Sequence, residues 1–314
     1  MARRKSIQKR RPSVRKQTRK IKNPLVLLLV FCLAAISAIY FDYVPPEWLE
    51  TLPPELQEMV ILLLPVPEVA DLSDIPTGIG NNTIESFAKS KRYLMKMHLT
   101  EKQLSTFYCG STFNGKKQVS HGKSGYKPAT SDRERESRVE WEHVVPAYVF
   151  GITFPYWVGY GEDPHPDCID KNGKSIKNRE CTEKNSQLFR YMQADMHNLR
   201  PAIGSVNGLR SNYEFAMIRG EKREFGTCDM EIDSGDKRVE PPEEVRGDIG
   251  RTYLYMASAY PDVPFLTSDT KEMMEGWAAN DPVTEWECER ERLIAKMQGN
   301  RNTVVKTACE QAGL

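Results

Sequence analysis

The segment Arg138-Val-Glu140-Trp-Glu142-His143-Val-Val-Pro146-Ala places a carboxylate directly beside a histidine. Its β-branched residues predict a strand over Arg138–Val145, and Pro146, which cannot donate an N–H to a ladder, is typical of a strand that ends. Neighbouring side chains of a regular strand point to opposite faces, so Glu142 and His143 share a site only if the strand bends or bulges there. Otherwise His143 is an ordinary half-buried strand residue, and this segment alone leaves both interpretations open.

A second segment, Asp195-Met-His197-Asn198-Leu-Arg200-Pro-Ala-Ile-Gly204-Ser-Val-Asn207-Gly-Leu-Arg210-Ser-Asn212, is unusually rich in polar groups. It holds an acid, a histidine, three asparagines and two arginines within eighteen residues. Pro201 and Gly204 interrupt the chain before a helix that is expected from about Ser205. Asn207 would lie in the first turn of that helix, where its side chain either caps the helix or offers its amide oxygen to a hard cation.

The two segments together supply a carboxylate, an amide oxygen, a histidine and arginines. One carboxylate and one amide are too few for zinc, but they suit Mg²⁺, which keeps several waters and takes further ligands from a substrate phosphate. A neutral histidine can deprotonate water near physiological pH, and an arginine can bind phosphate oxygens through its fork of donors. These residue types therefore indicate metal-assisted phosphodiester hydrolysis.

These segments resemble the endonuclease I family of bacterial periplasmic and secreted nucleases, which belongs to the ββα-metal superfamily. The resemblance covers roughly residues 85–310 and is carried by Glu140–Ala147, Ala194–Gly204, Val206–Asn212, Arg251–Met256, Trp286–Cys288 and Ile294–Asn300. It implies an α+β fold with a ββα-metal core. It also implies an endonuclease that cleaves DNA, and in many members RNA, with little sequence preference and leaves 5′-phosphates.

The resemblance implies a role for each matching residue. His143 resembles the general base that activates the attacking water, and Glu142 and Asn207 resemble the protein ligands of a single Mg²⁺, for which Mn²⁺ or Ca²⁺ could substitute. The family also uses a phosphate-binding arginine from the loop before the second strand. In this chain we select Arg179 for that role and keep Lys177 as the alternative.

Other polar residues of these segments have two interpretations each. Arg200 and Arg210 either bind the substrate or pair with acids such as Glu214. The sequence departs from the family pattern at Gln193, where an acidic residue is expected in some relatives, so any supporting role for that position is in doubt.

Three more residues are predicted to support the site from behind the metal ligands. These are Glu140, Asp195 and His197, since metal sites usually need such partners. The alternatives are a solvated Glu140, a purely structural hydrogen-bond acceptor at Asp195 and a buried structural histidine at His197.

Charge is distributed unevenly along the 314 residues, although the net charge is only +1. Residues 89–225 carry 23 basic and 16 acidic residues, a local charge of +7, and residues 226–314 carry 10 and 18, a local charge of −8. A polyanion is therefore steered to the middle of the chain. Because the sequence contains no helix-turn-helix, zinc-finger or aromatic RNA-binding motif, we expect recognition of the phosphate backbone rather than of base sequence.

The N-terminal region has the layout of an export signal. Residues 1–22 carry eleven Lys or Arg and no acid, and the apolar stretch Leu25–Phe41 follows, interrupted only by Ser37. The positive-inside rule keeps such a tail in the cytoplasm and exports the rest, so we favour an uncleaved signal anchor over a cleaved signal peptide. The expected organisation is a basic cytoplasmic tail (1–22), an anchor or signal peptide (23–44), an acidic Pro-rich linker (45–81) and one α+β catalytic domain (82–314). The protein would be periplasmic or secreted, held at the inner membrane by its N-terminal segment.

Six cysteines follow the apolar stretch, and an even number in an exported protein predicts three disulfides. They are Cys109, Cys168, Cys181, Cys228, Cys288 and Cys309. Six cysteines allow fifteen pairings, and the sequence does not decide among them. The pairing that we expect joins Cys168 to Cys181 and Cys288 to Cys309, which leaves Cys109 with Cys228.

Residue spacing also predicts several secondary-structure elements. Helices are expected over Ile84–Leu99, 186–196, 205–217, Gly250–Tyr260, Lys271–Ala279 and Glu285–Gln298, with a short one around Glu55–Leu64. A strand is predicted over Ser105–Tyr108, and 151–185 is expected to be a long irregular loop closed by cysteines.

Two other functions are compatible with parts of this pattern. The chain could be a catalytically inactive relative that binds DNA at the cell surface, for example in DNA uptake, although such a protein needs no base beside a metal ligand. It could also hydrolyse another phosphoester or a peptide, but the absence of an H-E-x-x-H motif weakens the peptidase alternative. No obligate protein partner is implied, and a monomer is expected.

Overall fold

The computed structural model describes residues 52–63, 71–122, 124–129, 132–158, 163–220 and 222–314. The predicted basic tail and apolar stretch lie outside these residues. Within the described ranges, no helix combines the length and the apolar character needed to cross a membrane. From residue 52 onward, the described residues belong to one compact unit.

Helices and short strands are mixed along this unit, so the expected α+β class is confirmed. The helices are α1 (Pro54–Leu63), α2 (Phe87–Thr100), α3 (Arg133–Glu136), α4 (Ala147–Gly151), α5 (Asn178–Asn185), α6 (Gln187–Ala194), α7 (Gly204–Arg210), α8 (Arg246–Ala259), α9 (Ser268–Asn280), α10 (Glu285–Gln298) and α11 (Thr303–Ala312). The strands are β1 (Thr112–Phe113), β2 (Val119–Ser120), β3 (Val139–His143), β4 (Leu199–Ile203), β5 (Glu214–Phe215), β6 (Glu231–Asp233) and β7 (Arg238–Glu240).

The strand pair β3–β4 is the longest ladder of the described chain. It is antiparallel, with Val139 opposite Ile203 and His143 opposite Leu199. Helix α7 begins at Gly204, directly after β4, so the two paired strands and this helix form one β3–β4–α7 unit, although helices α4, α5 and α6 lie between β3 and β4 along the chain. This unit brings the predicted polar segments together. Two smaller sheets complete the strand structure, β1–β2 and β5–β7–β6.

The main apolar core lies between the β3–β4–α7 unit and the helices that cover it. Val145, Phe189 and Val206 are fully buried in it, next to Ile249 and Met274 of the C-terminal helices. Helices α8 and α9 approach closely at Gly250, where a Cβ would lie 2.4 Å from the carbonyl oxygen of Met274. Only glycine permits this backbone contact.

Several predicted elements are confirmed and others are wrong. Helix α10 has the predicted bounds, and α2, α8 and α9 occupy the predicted regions with shifted ends. The predicted strand Ser105–Tyr108 is wrong, because only Ser105 forms an isolated bridge and Tyr108 lies in a turn. The predicted helix 205–217 ends at Arg210, because Ser211 has a positive φ of 54° and the chain then enters β5. The predicted irregular loop 151–185 contains helix α5.

Three disulfides are present, and their pairing is the expected one. They join Cys109 to Cys228, Cys168 to Cys181 and Cys288 to Cys309 across 119, 13 and 21 residues. Cross-links of this kind stabilise a fold by restricting the unfolded chain, by about 2–4 kcal/mol each.

The described part of the predicted Pro-rich linker contains an α-helix in the expected region. Helix α1 lies against α2, and its Val60 and Ile61 are buried. This part of the linker therefore packs on the domain. The predicted domain boundary near residue 82 stays a prediction.

Candidate active site

The end of strand β3 carries the buried carboxylate of Glu142. The hydroxyl of Tyr108 donates a hydrogen bond to its Oε1 at 3.1 Å, and Nη1 of Arg210 lies 3.2 Å from the same oxygen. Burial raises the pKa of Glu142 to about 7, against the opposing effects of Arg210 and Tyr108. The second carboxylate oxygen accepts no hydrogen bond from the described residues, so it is available for a further ligand.

Arg210, at the end of α7, holds this strand end in place. Its guanidinium donates to the carbonyl oxygens of His143 at 3.2 Å and Val144 at 2.8 Å, and it lies over the ring of Phe215. Its side chain is only 1% exposed. These contacts favour the alternative of pairing for Arg210, with Glu142 rather than Glu214 as its acid, and a role of Arg210 in substrate binding stays a prediction.

His143 is held as a neutral imidazole. Its Nε2 lies 2.8 Å from the carbonyl oxygen of Gln193, a contact that requires the proton on Nε2 and leaves Nδ1 as an unprotonated acceptor. The ring of Phe87 packs against it with a centroid distance of 4.8 Å. Burial, and then the charge of Arg179, lowers the pKa of His143 to about 3, so the imidazole carries no charge at neutral pH.

Asn207 is oriented by a carboxylate on the neighbouring strand. Its Nδ2 donates to Oε2 of Glu140 at 2.8 Å, which turns its Oδ1 away from Glu140. Arg135 binds the same carboxylate through two hydrogen bonds of 3.0 and 2.6 Å, and Arg138 adds two more. Burial raises the pKa of Glu140, but the hydrogen bonds outweigh it and hold the pKa below its usual value. The supporting position predicted for Glu140 fits this geometry.

Helix α7 fits against this network through a glycine. A Cβ on Gly208 would lie 2.1 Å from Nη1 of Arg135, so a side chain there would displace the guanidinium. The network therefore depends on the Gly that follows Asn207.

The side chain of Arg179, on helix α5, lies next to Gln193 and Phe87, which both contact the imidazole of His143. Its Nη2 lies 3.4 Å from Oε1 of Gln193, and its guanidinium lies 5.8 Å from the centroid of the Phe87 ring. The Cys168–Cys181 disulfide anchors α5 two residues further on. Lys177, the alternative phosphate ligand, lies at the start of α5 and does not line the cavity described next.

A cavity of about 580 Å³ opens over these groups. Charged, polar and aromatic residues all line it. Its lining includes Glu142, His143, Asn207, Arg179, Lys91, Lys117, Phe87, Tyr148 and Trp157. The residues predicted for the base, the metal and the phosphate therefore meet in one cavity.

Three predicted residues lie elsewhere. Arg200 is buried, pairs with Asp248 at 2.5 Å and lines a different, smaller cavity, so the substrate-binding prediction is corrected in favour of pairing. Asp195 accepts hydrogen bonds from the hydroxyls of Tyr255 and Tyr260 at 2.7 and 2.8 Å.

His197 packs edge-on against Tyr255, and its Nε2 contacts the carbonyl of Asn300 at 3.3 Å. Neither Asp195 nor His197 lines the cavity of the site. Both therefore serve the core, as their structural alternatives stated, and the supporting role is corrected. Their segment is rich in polar groups, but Asp195 and His197 face the core rather than the site.

Sequence reasoning missed four contributors to the site. Tyr108 and Phe87 are single aromatic residues without a motif around them. Arg135 lies in the charged run Arg133–Glu136, which usually indicates a solvated face. The carbonyl of Gln193 has no sequence signal, because any residue type could supply it.

The donor set fits a hard cation with few protein ligands. Across the described ranges, no group of three or more His, Cys, Asp or Glu could hold a metal ion. The free oxygen of Glu142 and the Oδ1 of Asn207 both belong to residues that line the cavity. One carboxylate and one amide oxygen match Mg²⁺, which retains waters and accepts substrate oxygens.

Comparison with known proteins identifies the family of this chain. Residues 87–309 match the family model for endonuclease I. A periplasmic deoxyribonuclease of Aeromonas hydrophila is 38% identical over 240 residues, which cover 75% of this chain and 92% of that protein. An extracellular deoxyribonuclease of the same organism is 39% identical over 233 residues, 73% of this chain and 91% of that protein. A more distant extracellular ribonuclease of Bacillus subtilis (strain 168) is 31% identical over 128 residues, 35% of this chain and 43% of that protein.

A family of nucleases is thus matched along most of the domain that carries the site. The chain belongs to the endonuclease I family.

Proposed function

We propose that this protein is a Mg²⁺-dependent endonuclease that hydrolyses phosphodiester bonds of DNA with little sequence preference and leaves 5′-phosphates. The observation that carries the proposal is the shared cavity of His143, Glu142, Asn207 and Arg179. A neutral imidazole, two oxygen ligands and a guanidinium are the groups that water-mediated cleavage of a phosphodiester requires. The deoxyribonucleases among its relatives support DNA as the substrate.

In the proposed mechanism, Nδ1 of His143 takes a proton from the attacking water, while its Nε2–H stays bound to the carbonyl of Gln193. Arg179 binds a phosphate oxygen and positions the scissile group. Glu142 and Asn207 would hold Mg²⁺, which would supply charge neutralisation for the phosphodiester as it is cleaved. Mn²⁺ or Ca²⁺ would occupy the same ligands.

The fold assignment belongs to the same proposal. Strands β3 and β4 and helix α7 correspond to the ββα-metal core that the family resemblance implies, with β3 supplying Glu142 and α7 supplying Asn207. The catalytic domain would comprise residues 82–314, after a basic tail (1–22), an anchor or signal peptide (23–44) and a linker (45–81).

We further propose an extracytoplasmic location. Three disulfides suit an oxidising compartment, and relatives are described as periplasmic or extracellular. The apolar stretch Leu25–Phe41 would tether the protein to the inner membrane. The enzyme would act as a monomer on DNA, and the ribonuclease among the distant relatives extends the proposed substrates to RNA.

The deciding experiment is plasmid cleavage by the purified full-length chain, with Mg²⁺ and with EDTA, for the wild type and for His143→Ala. We expect cleavage that requires both Mg²⁺ and His143, while the variant still retards the plasmid in a gel. A wild-type protein that retards the plasmid without cutting it would instead support the surface DNA-binding alternative. Equal loss of binding and cleavage in the variant would remove the base role of His143.

A further inference from the structure

Two aromatic rings form one edge of the site cavity. Tyr148 lies on α4, five residues after His143, and is 45% exposed. Trp157 follows in the next turn, and the two rings meet edge to face with a centroid distance of 5.9 Å and an interplanar angle of 81°. Both residues line the cavity of the site. We call this pair, Tyr148 and Trp157, the aromatic ledge.

The ledge is supported from below by close packing. A Cβ on Gly151 would lie 2.3 Å from the indole of Trp157, so the indole rests directly on the backbone of α4. Trp157 also packs against Phe189, which is fully buried. On its other side, Nδ2 of Asn178 donates to the carbonyl oxygen of Val158 at 2.6 Å and ties the turn to α5. A supported ring keeps its orientation before a ligand arrives, which lowers the entropy cost of binding.

Basic residues line the same cavity. Arg179, Lys91 and Lys117 all contribute to its lining. A polynucleotide combines anionic phosphates with flat bases, and this cavity combines cationic groups with an exposed aromatic ring. Charge and shape therefore favour a nucleotide with its phosphate toward the cations and its base toward the ledge.

The pairing state of the nucleic acid decides whether such a base can reach the ledge. In a duplex, both faces of each base are covered by neighbouring bases, whereas an unpaired base can expose a face to an aromatic side chain. Base–aromatic stacking accepts every base, because each has a π-face. A stacking ledge therefore adds affinity for single strands without adding sequence preference.

We propose that the aromatic ledge stacks an unpaired base beside the scissile phosphate, so that single-stranded nucleic acid is bound in preference to duplex. This inference rests on the proposed nuclease function, because it places the phosphate at the site of Glu142 and His143. It identifies Tyr148 as the residue that determines the preference for single strands over duplex.

The test measures binding in EDTA, so that it does not depend on cleavage. Labelled oligothymidylate and a labelled duplex of equal length are titrated with the full-length chain by fluorescence anisotropy. We expect Tyr148→Ala to lower the ratio of single-strand to duplex affinity about tenfold, in line with the loss of one stacked base. Tyr148→Phe keeps the ring and should keep the ratio. Ile152→Ala is the matched control, because Ile152 is 51% exposed at the end of the same helix but does not line the cavity.

The results that would overturn the proposal differ from the result that would refute the proposed nuclease function. An unchanged ratio in Tyr148→Ala, or an equal fall in Tyr148→Ala and Ile152→Ala, would overturn it. An unchanged ratio with equally weakened single-strand and duplex binding would mean that the ring serves general binding. A wild-type chain that prefers single strands through Tyr148 but never cleaves plasmid with Mg²⁺ would refute the proposed function and leave the ledge in place. The near-ultraviolet circular dichroism of each variant confirms that the fold is retained.

Discussion

Asn207 and Glu140 form a hydrogen bond in which Nδ2 of the amide donates to the carboxylate at 2.8 Å. An asparagine amide has one oxygen and one nitrogen, so binding the nitrogen determines where the oxygen points. Glu140 is itself held by Arg135 and Arg138, and these two bonded cations keep it ionised. The orientation of a proposed metal ligand thus depends on an ion pair on the adjacent strand.

Replacing Glu140 should therefore weaken metal binding without removing a ligand. In Glu140→Ala the amide of Asn207 loses its partner, and we expect activity to fall about 10–100-fold with a higher Mg²⁺ concentration for half-maximal cleavage. Cleavage measured across a Mg²⁺ titration checks this. Glu134→Gln is the control, because Glu134 also pairs with Arg138 but is 80% exposed and does not contact Asn207. An unchanged Mg²⁺ requirement in Glu140→Ala would show that Asn207 keeps its orientation without this bond.

Among the arginines at the site, Arg210 is the one whose replacement should lower the free energy of unfolding most. It lies in a buried ion pair with Glu142 and also binds two carbonyl oxygens of β3 and its following turn. In Arg210→Met these groups lose their donors, and we expect the free energy of unfolding to fall by about 3–5 kcal/mol. Urea denaturation measures the change, with Arg292→Met as the comparison, because the side chains of the Arg292–Glu289 pair are 35% and 47% exposed and the pair should contribute less than about 1 kcal/mol. Similar losses in the two variants would contradict the structural role of Arg210.

His98 should make stability fall in mild acid. Burial lowers its pKa from the ordinary 6.5 to about 3, and its Nδ1 lies 2.5 Å from the carbonyl oxygen of Gln103. Above pH 6.5 both folded and unfolded chains carry a neutral His98. As the pH falls from 6.5 toward 3, only the unfolded chain gains the proton, so the contribution to stability is progressively lost.

The variant His98→Gln isolates this contribution. At pH 5 the wild type should have lost about 2 kcal/mol through His98 relative to pH 7, and the variant should lack that part of the pH dependence. The free energy of unfolding, measured by urea at both pH values, provides the comparison. The same slope for both proteins would mean that His98 does not titrate as its burial requires.

The Cys168–Cys181 disulfide should matter for substrate binding as well as for stability. It closes the loop before α5, and Arg179 lies on α5 two residues before Cys181. Replacing both cysteines with serine should loosen that helix and lower kcat/KM at least tenfold, mainly through a higher KM. Serine replacement of Cys288 and Cys309, which join α10 to α11, is the matched control and should lower the unfolding free energy by about 2–4 kcal/mol with little change in kcat/KM. If the two double variants had equal kcat/KM, the disulfide would not position Arg179.

Much of the site could be predicted from residue types along the chain. Glu142, His143 and Asn207 stand in two dense polar segments, and their chemistry suits a hard cation and a base. The structure brings them into one cavity with Arg179. Regular amphipathic stretches were also predictable, since α10 has the predicted bounds.

Other parts could not be predicted because they depend on partners far along the chain. Helix α5 lies in a region rich in Gly, Pro and Lys, and it is anchored by a disulfide rather than by an apolar face. Arg200 and Asp195 share a segment with Asn207 but do not line the cavity of the site. Arg200 pairs with Asp248, and Asp195 accepts hydrogen bonds from two tyrosines in the core. Local sequence shows that polar groups are dense, but it does not show which of them point inward.

The sequence by itself determined the family, the cysteine content and the donor groups of the site, because these depend only on which residues are present and in what order. Tertiary structure alone decided how the groups are used. The tautomer of His143 depends on a carbonyl 50 residues away, and the orientation of Asn207 depends on a carboxylate 67 residues away. A hydrogen bond acts only over about 3 Å, so these choices exist only once folding has brought the partners together.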